Sequence, residues 1–181
     1  MHLTTTRLTI APLDATDIPV FVAYRGDPDI AKWQSWETSY SEVDAQNLVD
    51  GQAGWELPPA GEWMQLAVRE NDLLVGDVAI HLLDDQPGTW EVGVTFAVQG
   101  RGFATEALAA VVGELFTHGA HRVIANCDAR NLAVHHLLER IGLRQESRLV
   151  EADWFKNEWT TLDGFAVLAS EWERDGSRHE G

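Results

Sequence analysis

One cysteine in 181 residues, Cys127, excludes an internal disulfide and agrees with a reducing compartment. No stretch approaches the roughly 18 consecutive apolar residues that a membrane-spanning helix requires. The opening MHLTTTRLTI carries neither an apolar signal core nor a cleavage site, so a cytoplasmic location is expected. Positive charge is also scarce: 13 Lys plus Arg face 29 Asp plus Glu, a formal charge of −16. Such a field repels nucleic-acid backbones and membrane surfaces and draws cationic partners. Solubility alone is the plainer reading of the same surplus. Internal repeats, low-complexity tracts and long linkers are missing as well.

What remains is enough for a core: 45% hydrophobic residues and eight tryptophans. The length suits one domain, taken as 1–172, followed by a polar tail, 173–181. TRLTIAPL alternates as a strand. DATDIPVFVAYRG reads as a helix capped by Asp14 and ended by Gly26, and SEVDAQNLVDGQAGW as a second helix starting at Ser41. WMQLAVRE, LLVGDVAIHLL and TWEVGVTFAV are strands joined by ND and DDQPG turns, hence antiparallel neighbours. A strong helix spans about Gly102 to His118, with Leu108, Val111, Val112, Leu115 and Phe116 at helical spacing. HRVIANCD is a short strand, NLAVHHLLERIG an amphipathic helix, and LRQESRLVEA and WTTLDGFAVLASEW are closing strands. This order predicts one α/β (α+β) domain. Its single, mixed, mostly antiparallel, seven-stranded sheet is flanked by about four helices.

The stretch QGRGFAT joins a strand to the strong helix. Gly100 and Gly102 permit backbone conformations closed to other residues and let a ligand come close. The free amides of the helix start favour an anion, and Arg101 and Thr105 add a charge and a hydroxyl. A plain strand-to-helix corner would use glycine too. A Walker loop would need Gly-Lys-Ser/Thr, which is absent. A dinucleotide fingerprint would need a third glycine and a position nearer the start of an alternating fold.

At this point the residues resemble a known pattern. Gln99-x-x-Gly102-x-Ala104 is similar to the pyrophosphate-binding Q/R-x-x-G-x-G/A motif of the GNAT superfamily of acyl-CoA-dependent N-acyltransferases. CDARNLAVHHLLERIGL resembles the family's strand-Asn-helix segment, with Asn131 and Gly142 matching. TTRLTIAPL and WFKNEWTTLDGFAVLASEW are similar to the first and last strands of the branch that acetylates ribosomal-protein N-termini. The resemblance implies acetyl-CoA as co-substrate and no metal. It places pantetheine along the backbone of Phe96, Ala97 and Val98, and pyrophosphate on Gln99, Gly100, Arg101, Gly102, Phe103, Ala104 and Thr105. Asn131 would meet the pantetheine chain, in a slot between the strand bearing Val98 and the one bearing Asn126.

The reaction so implied is direct attack of a primary amine on the thioester. Glu91 is the candidate base, on the same strand face as Gly93 and Thr95; a structural carboxylate is the alternative. Asp77 is a weaker candidate that could instead face solvent. The usual proton donors to the thiolate are missing: Leu138 replaces a tyrosine and Val134 a serine. His135 is read as a surface histidine before a substitute acid. Trp33, Trp36 and Trp154, with Trp55 and Trp159, fall in regions that wall the acceptor site in relatives, where an aromatic, acidic surround suits a cationic amine. Packing in a core or a homodimer explains them equally. The acceptor is expected to be a protein N-terminus or a small cation such as an aminoglycoside. An acyl-CoA-binding domain without turnover is the alternative from another class.

Overall fold

A computed structural model describes residues 1–176, and the polar tail beyond lies outside the described residues. The strands are β1 (Leu3–Thr4), β2 (Thr9–Pro12), β3 (Trp63–Glu70), β4 (Leu73–Leu82), β5 (Thr89–Phe96), β6 (Arg122–Asp128), β7 (Arg144–Phe155) and β8 (Glu158–Leu168). The helices are α1 (Ile18–Arg25), α2 (Pro28–Ala31), α3 (Glu42–Gly51), α4 (Phe103–Thr117), α5 (Leu132–Arg140) and α6 (Ala169–Gly176).

The sheet has eight strands in the order β1-β2-β3-β4-β5-β6-β8-β7, one more than expected. The additional strand is β1, which precedes the expected opening strand; that strand is shortened to β2, and the two pair antiparallel across a turn closed by Thr5 N to Leu8 O (2.9 Å). Among the described residues β5–β6 is the one parallel pair, so the expected mixed, mostly antiparallel character holds. The helices also exceed the four expected. Pro28 starts the short α2, where Asp27 accepts from the Asp29 amide. The last strand stops at Leu168, and the residues read as its end, with the start of the presumed tail, form α6.

Local chemistry explains the other boundaries. α1 starts three residues later than expected, at Asp17, because Asp14 is spent on a turn, accepting from the amide and hydroxyl of Thr16. Ser41 and Asp44 form a reciprocal capping box at α3. Alternation along the strands then sorts side chains to two faces. Met64, Leu66, Val78, Ile80, Trp90, Val92, Val123 and Phe165 pack on α4 and α5, through Leu108, Val111, Val112, Leu115 and Leu138. Ala67 and Leu74 face α1 and α3, through Ile18, Phe21, Tyr24 and Ala45.

Candidate active site between parted strands

β5 and β6 are paired only where Thr89, Trp90 and Glu91 meet Arg122, Val123 and Ile124. Beyond Glu91 they share no strand pairing. A narrow slot of about 90 Å³ opens between Val92–Val94 and Ala125–Asp128. Leu108 of α4 and Asn131, Val134 and Leu138 of α5 form its walls, and Trp33 and Gln34 border it. The strand expected to part at Asn126 does so. A parted strand edge leaves backbone donors and acceptors for an extended, amide-bearing ligand. One of these, the Val94 carbonyl, accepts from Gln34 Nε2 at 3.3 Å.

At the far end of β5 the glycine turn takes the conformation its sequence requires. Gly100 and Gly102 both have φ of 76°, and Gly102 is the N-cap of α4 without a side-chain cap. The first turn of a helix leaves its amides without intrahelical partners, and the ladder of α4 begins with Glu106 N to Gly102 O at 3.1 Å. The amides of Phe103, Ala104 and Thr105 are therefore grouped at a positive dipole end.

Two arginines flank them. Arg101 is fixed by Glu70 at 2.8 Å to each oxygen, and lies 4.5 Å over the Phe103 ring. Arg7, absent from the sequence-based site, stacks 4.9 Å from the same ring and donates to the Arg101 carbonyl at 2.9 Å. Glu106 holds Arg7 Nε at 2.7 Å and also accepts from the Thr5 hydroxyl at 2.6 Å. Burial alone would raise the Glu106 carboxyl, but these hydrogen bonds from Thr5 and Arg7 keep it below the ordinary carboxylate range. Arg7 sits 94 residues from the carbonyl it braces. Nothing in local spacing announces such a pair.

Glu91 is the last paired residue of β5, one position before Val92, and does not itself line the slot. Asn126 Nδ2 donates to its Oε1 at 2.9 Å, and His81 Nδ1 stands 3.7 Å from Oε2. The His81 ring stacks on Trp63 with centroids 4.7 Å apart. Asp77, the weaker candidate base with solvent exposure as its alternative, is buried. It accepts from the Tyr24 hydroxyl at 2.5 Å and faces the Arg25 guanidinium at 3.6 Å. Burial pushes its carboxyl up from the ordinary range. Arg25 in turn lies 3.6 Å from the Trp36 ring centroid. Asp77 thus belongs to a closed packing cluster.

The α5 wall of the slot offers no hydroxyl, since Val134 and Leu138 present only hydrocarbon there. Cys127 lines it too, and burial, with Asp163 and Asp128 nearby, pushes its thiol up to about 12. A thiol that weak stays protonated and cannot hand its proton to an ordinary thiolate with a pKa of about 8.5, though it can donate a hydrogen bond. His135 is buried, not a surface residue, because its ring meets Phe165 edge-on and its Nε2 sits 3.3 Å from Asp163. It is not a slot residue. Arg148 holds Asp163 through two bonds of 2.7 and 2.6 Å and keeps that carboxyl below its ordinary range. Asn131 does line the slot and also caps α5, accepting from the Val134 amide at 3.4 Å.

Of the tryptophans only Trp33 is brought to the slot, flanked by Lys32 and Arg130. Trp36 covers Arg25 instead and donates to its carbonyl at 3.2 Å. Trp154 and Trp159 meet edge-on at 5.3 Å near the exposed β7–β8 hairpin tip. From that tip Lys156 Nζ donates to the Trp36 carbonyl at 2.9 Å, tying hairpin to loop. Among the described residues no group of three or more His, Cys, Asp or Glu is placed to hold a metal ion, and no helix is long and apolar enough to cross a membrane.

A model of the acetyltransferase (GNAT) domain matches residues 7–144. The chain is 29% identical over 175 residues, 95% of its length and 99% of the relative's, to the uncharacterized N-acetyltransferase YnaD of Bacillus subtilis (strain 168). Spermidine N-acetyltransferase from Vibrio cholerae, solved with CoA and spermine, shares the fold at a TM-score of 0.80 and 19% identity, covering 93% of this chain and 99% of its own. RimL, a ribosomal L7/L12 alpha-N-protein acetyltransferase solved with coenzyme A, does so at 0.79 and 15% identity, covering 93% of this chain and 98% of its own. At these identities the likeness is one of fold.

Proposed function

Because the chain belongs to the GNAT acetyltransferase family, we propose that it moves an acetyl group from acetyl-CoA to a primary amine by direct attack within a ternary complex. The observation that carries this reading is the parting of β5 from β6 directly after Glu91, with the glycine turn at the other end of β5. Cofactor and base are thereby aligned on one strand. Pantetheine runs along the backbone of Phe96, Ala97 and Val98 and through the slot past Asn131. Pyrophosphate rests on the backbone from Gln99 through Thr105, with Arg101 and Arg7, held by Glu70 and Glu106, bordering it. Proteins of the same fold solved with CoA support acetyl-CoA as the co-substrate.

In the reaction the ammonium of the acceptor gives a proton to the Glu91 carboxylate, directly or through water. The freed nitrogen lone pair attacks the acetyl carbonyl, the carbon–sulfur bond breaks, and CoA leaves as a thiolate. With no hydroxyl on α5 facing the slot, the second proton of the attacking nitrogen passes through water to the sulfur, giving neutral amide and CoA thiol, and the Cys127 S–H donates a hydrogen bond to the sulfur meanwhile. Bringing both reactants together accounts for much of the rate, about 7–11 kcal/mol in well-oriented cases.

The acceptor is a cationic amine that reaches Glu91 beside Trp33. The resemblance of the first and last strands to the branch acetylating ribosomal-protein N-termini supports a protein N-terminus as the acceptor. The comparable fold likeness to a polyamine acetyltransferase keeps small polyamines and aminoglycosides in the test. The decisive assay is release of free thiol from acetyl-CoA across a panel of spermidine, aminoglycosides and N-terminal peptides of basic proteins. Acetyl-CoA should raise the melting temperature and at least one amine should release thiol. Thermal protection without thiol release from any amine would instead assign a binding domain.

A further inference from the structure

His81 carries an unexplained cost. Its Nδ1 is shut off from solvent and has no hydrogen-bond partner among the described residues. A buried polar nitrogen left in that state costs about 1–3 kcal/mol. The ring is not free to turn toward another partner, because it lies flat on Trp63 with planes 20° apart. Strand register explains the arrangement: Trp63 is opposite His81 across β3–β4, and His81 is opposite Glu91 across β4–β5. The three side chains form one row on the sheet, with Nδ1 3.7 Å from Glu91 Oε2. That gap is just too long for a hydrogen bond. The other oxygen, Oε1, is already held by Asn126 at 2.9 Å.

We infer that His81 is a positioning residue for Glu91: with both substrates bound, its Nδ1–H closes on Oε2 and, with Asn126 on Oε1, fixes the carboxylate toward the slot. The inference rests on Glu91 being the base. Trp63 fixes the plane of the imidazole by stacking on it, and a small shift of the Glu91 side chain closes the 3.7 Å gap. Two donors, one from each side of the parted strands, leave the remaining lone pairs of Glu91 for the amine or its water. A carboxylate held at one oxygen only would swing, and loss of alignment by about 1 Å can cost a hundredfold in rate.

The test compares His81→Leu, His81→Asn, Glu91→Gln and the Glu91→Gln/His81→Leu double variant, in the amine-dependent thiol-release assay with the best acceptor. His81→Leu should lower kcat about tenfold to a hundredfold, with KM for acetyl-CoA essentially unchanged. His81→Asn, whose side-chain amide places an N–H near the position of Nδ1, should recover most of the loss. In the Glu91→Gln background His81→Leu should have almost no further effect. Equal losses in both backgrounds, or no recovery by asparagine, would refute the positioning role while leaving Glu91 as the base. A near-normal rate for Glu91→Gln would remove the base and this inference with it. Nitrogen-15 shifts of the His81 ring in the unaltered protein at one fixed pH supply a readout independent of folding: hydrogen on Nδ1 is expected, and hydrogen on Nε2 alone overturns the assignment.

Discussion

Gly76 is the position where a single methyl group should damage stability and cofactor binding together. It lies opposite Phe96 in the β4–β5 ladder. A Cβ added there would come within 2.5 Å of the Thr95 carbonyl oxygen and 2.6 Å of the Phe96 ring. The carbonyl is backbone and cannot turn away, so the strands must separate. Overpacking of this kind costs about 1–3 kcal/mol. The adjoining bond from Ala97 N to Val75 O, 3.0 Å long, lies beside the opening, and its loss adds about 1 kcal/mol. A total of about 2–4 kcal/mol corresponds to a fall in Tm of about 4–16 °C for a chain of this size. The part of β5 that moves carries Phe96 to Val98 and the glycine turn, so acetyl-CoA affinity should drop by an order of magnitude or more. Thermal melting and calorimetric titration of Gly76→Ala measure the two effects. A Tm within 2 °C of the parent together with unchanged affinity would show that the close approach at Gly76 is not what sets the course of β5.

Acetyl-CoA at a hundred times its Kd should add about 2.7 kcal/mol, or about 5–11 °C in Tm at this size. The Arg101→Glu/Gly102→Val double variant should abolish that protection, and protection equal to the parent's would place the pyrophosphate elsewhere. Cys127 should react with iodoacetamide at pH 8 at least about a hundredfold more slowly than free cysteine, since the thiolate is the nucleophile; rapid labelling would show an open, acidified thiol. Arg148→Met should lower stability at pH 7, because the buried Asp163 loses a charged partner. A depressed carboxylate contributes its stability above the unfolded value of about 3.9 and loses it as the pH falls below that. The parent should therefore lose stability more steeply than Arg148→Met in acid melts between pH 5 and pH 2, and parallel curves would dismiss the Arg148–Asp163 pair as a stabilising contact.

Periodicity and turn residues located most elements, because they report short-range physics. The Ser41 cap and the alternation of β3 to β5 are read correctly from neighbours in sequence. The two-residue β1 was hidden because it is too short to show a pattern, and the onset of α6 because a strand pattern continues through it. The glycine turn was legible for the same local reason: the positive φ at Gly100 and Gly102 is a property of the residues themselves. Arg7 was not, because its partner Glu106 is 99 residues away. Nor was His81, whose partner is set by register across two turns. His135 and Asp77 were read too near the surface; an isolated polar residue in an amphipathic pattern does not reveal whether a buried partner waits for it. Trp36 illustrates the reverse error of expectation, since an aromatic residue near a site satisfied a buried arginine instead.

The parted edge of β5 has a further consequence. A ligand held by peptide groups is indifferent to which side chains those groups carry, provided the strand keeps its path. If pantetheine runs there as proposed, substitutions along Phe96 to Val98 can accumulate without erasing its recognition, while the side chains pointing away are released to evolve a different acceptor. Relatives sharing only 15–19% of residues over nearly the whole chain still superimpose at TM-scores of 0.79 and 0.80. In such a scaffold heredity resides in the route of the main chain, and novelty in what hangs from it.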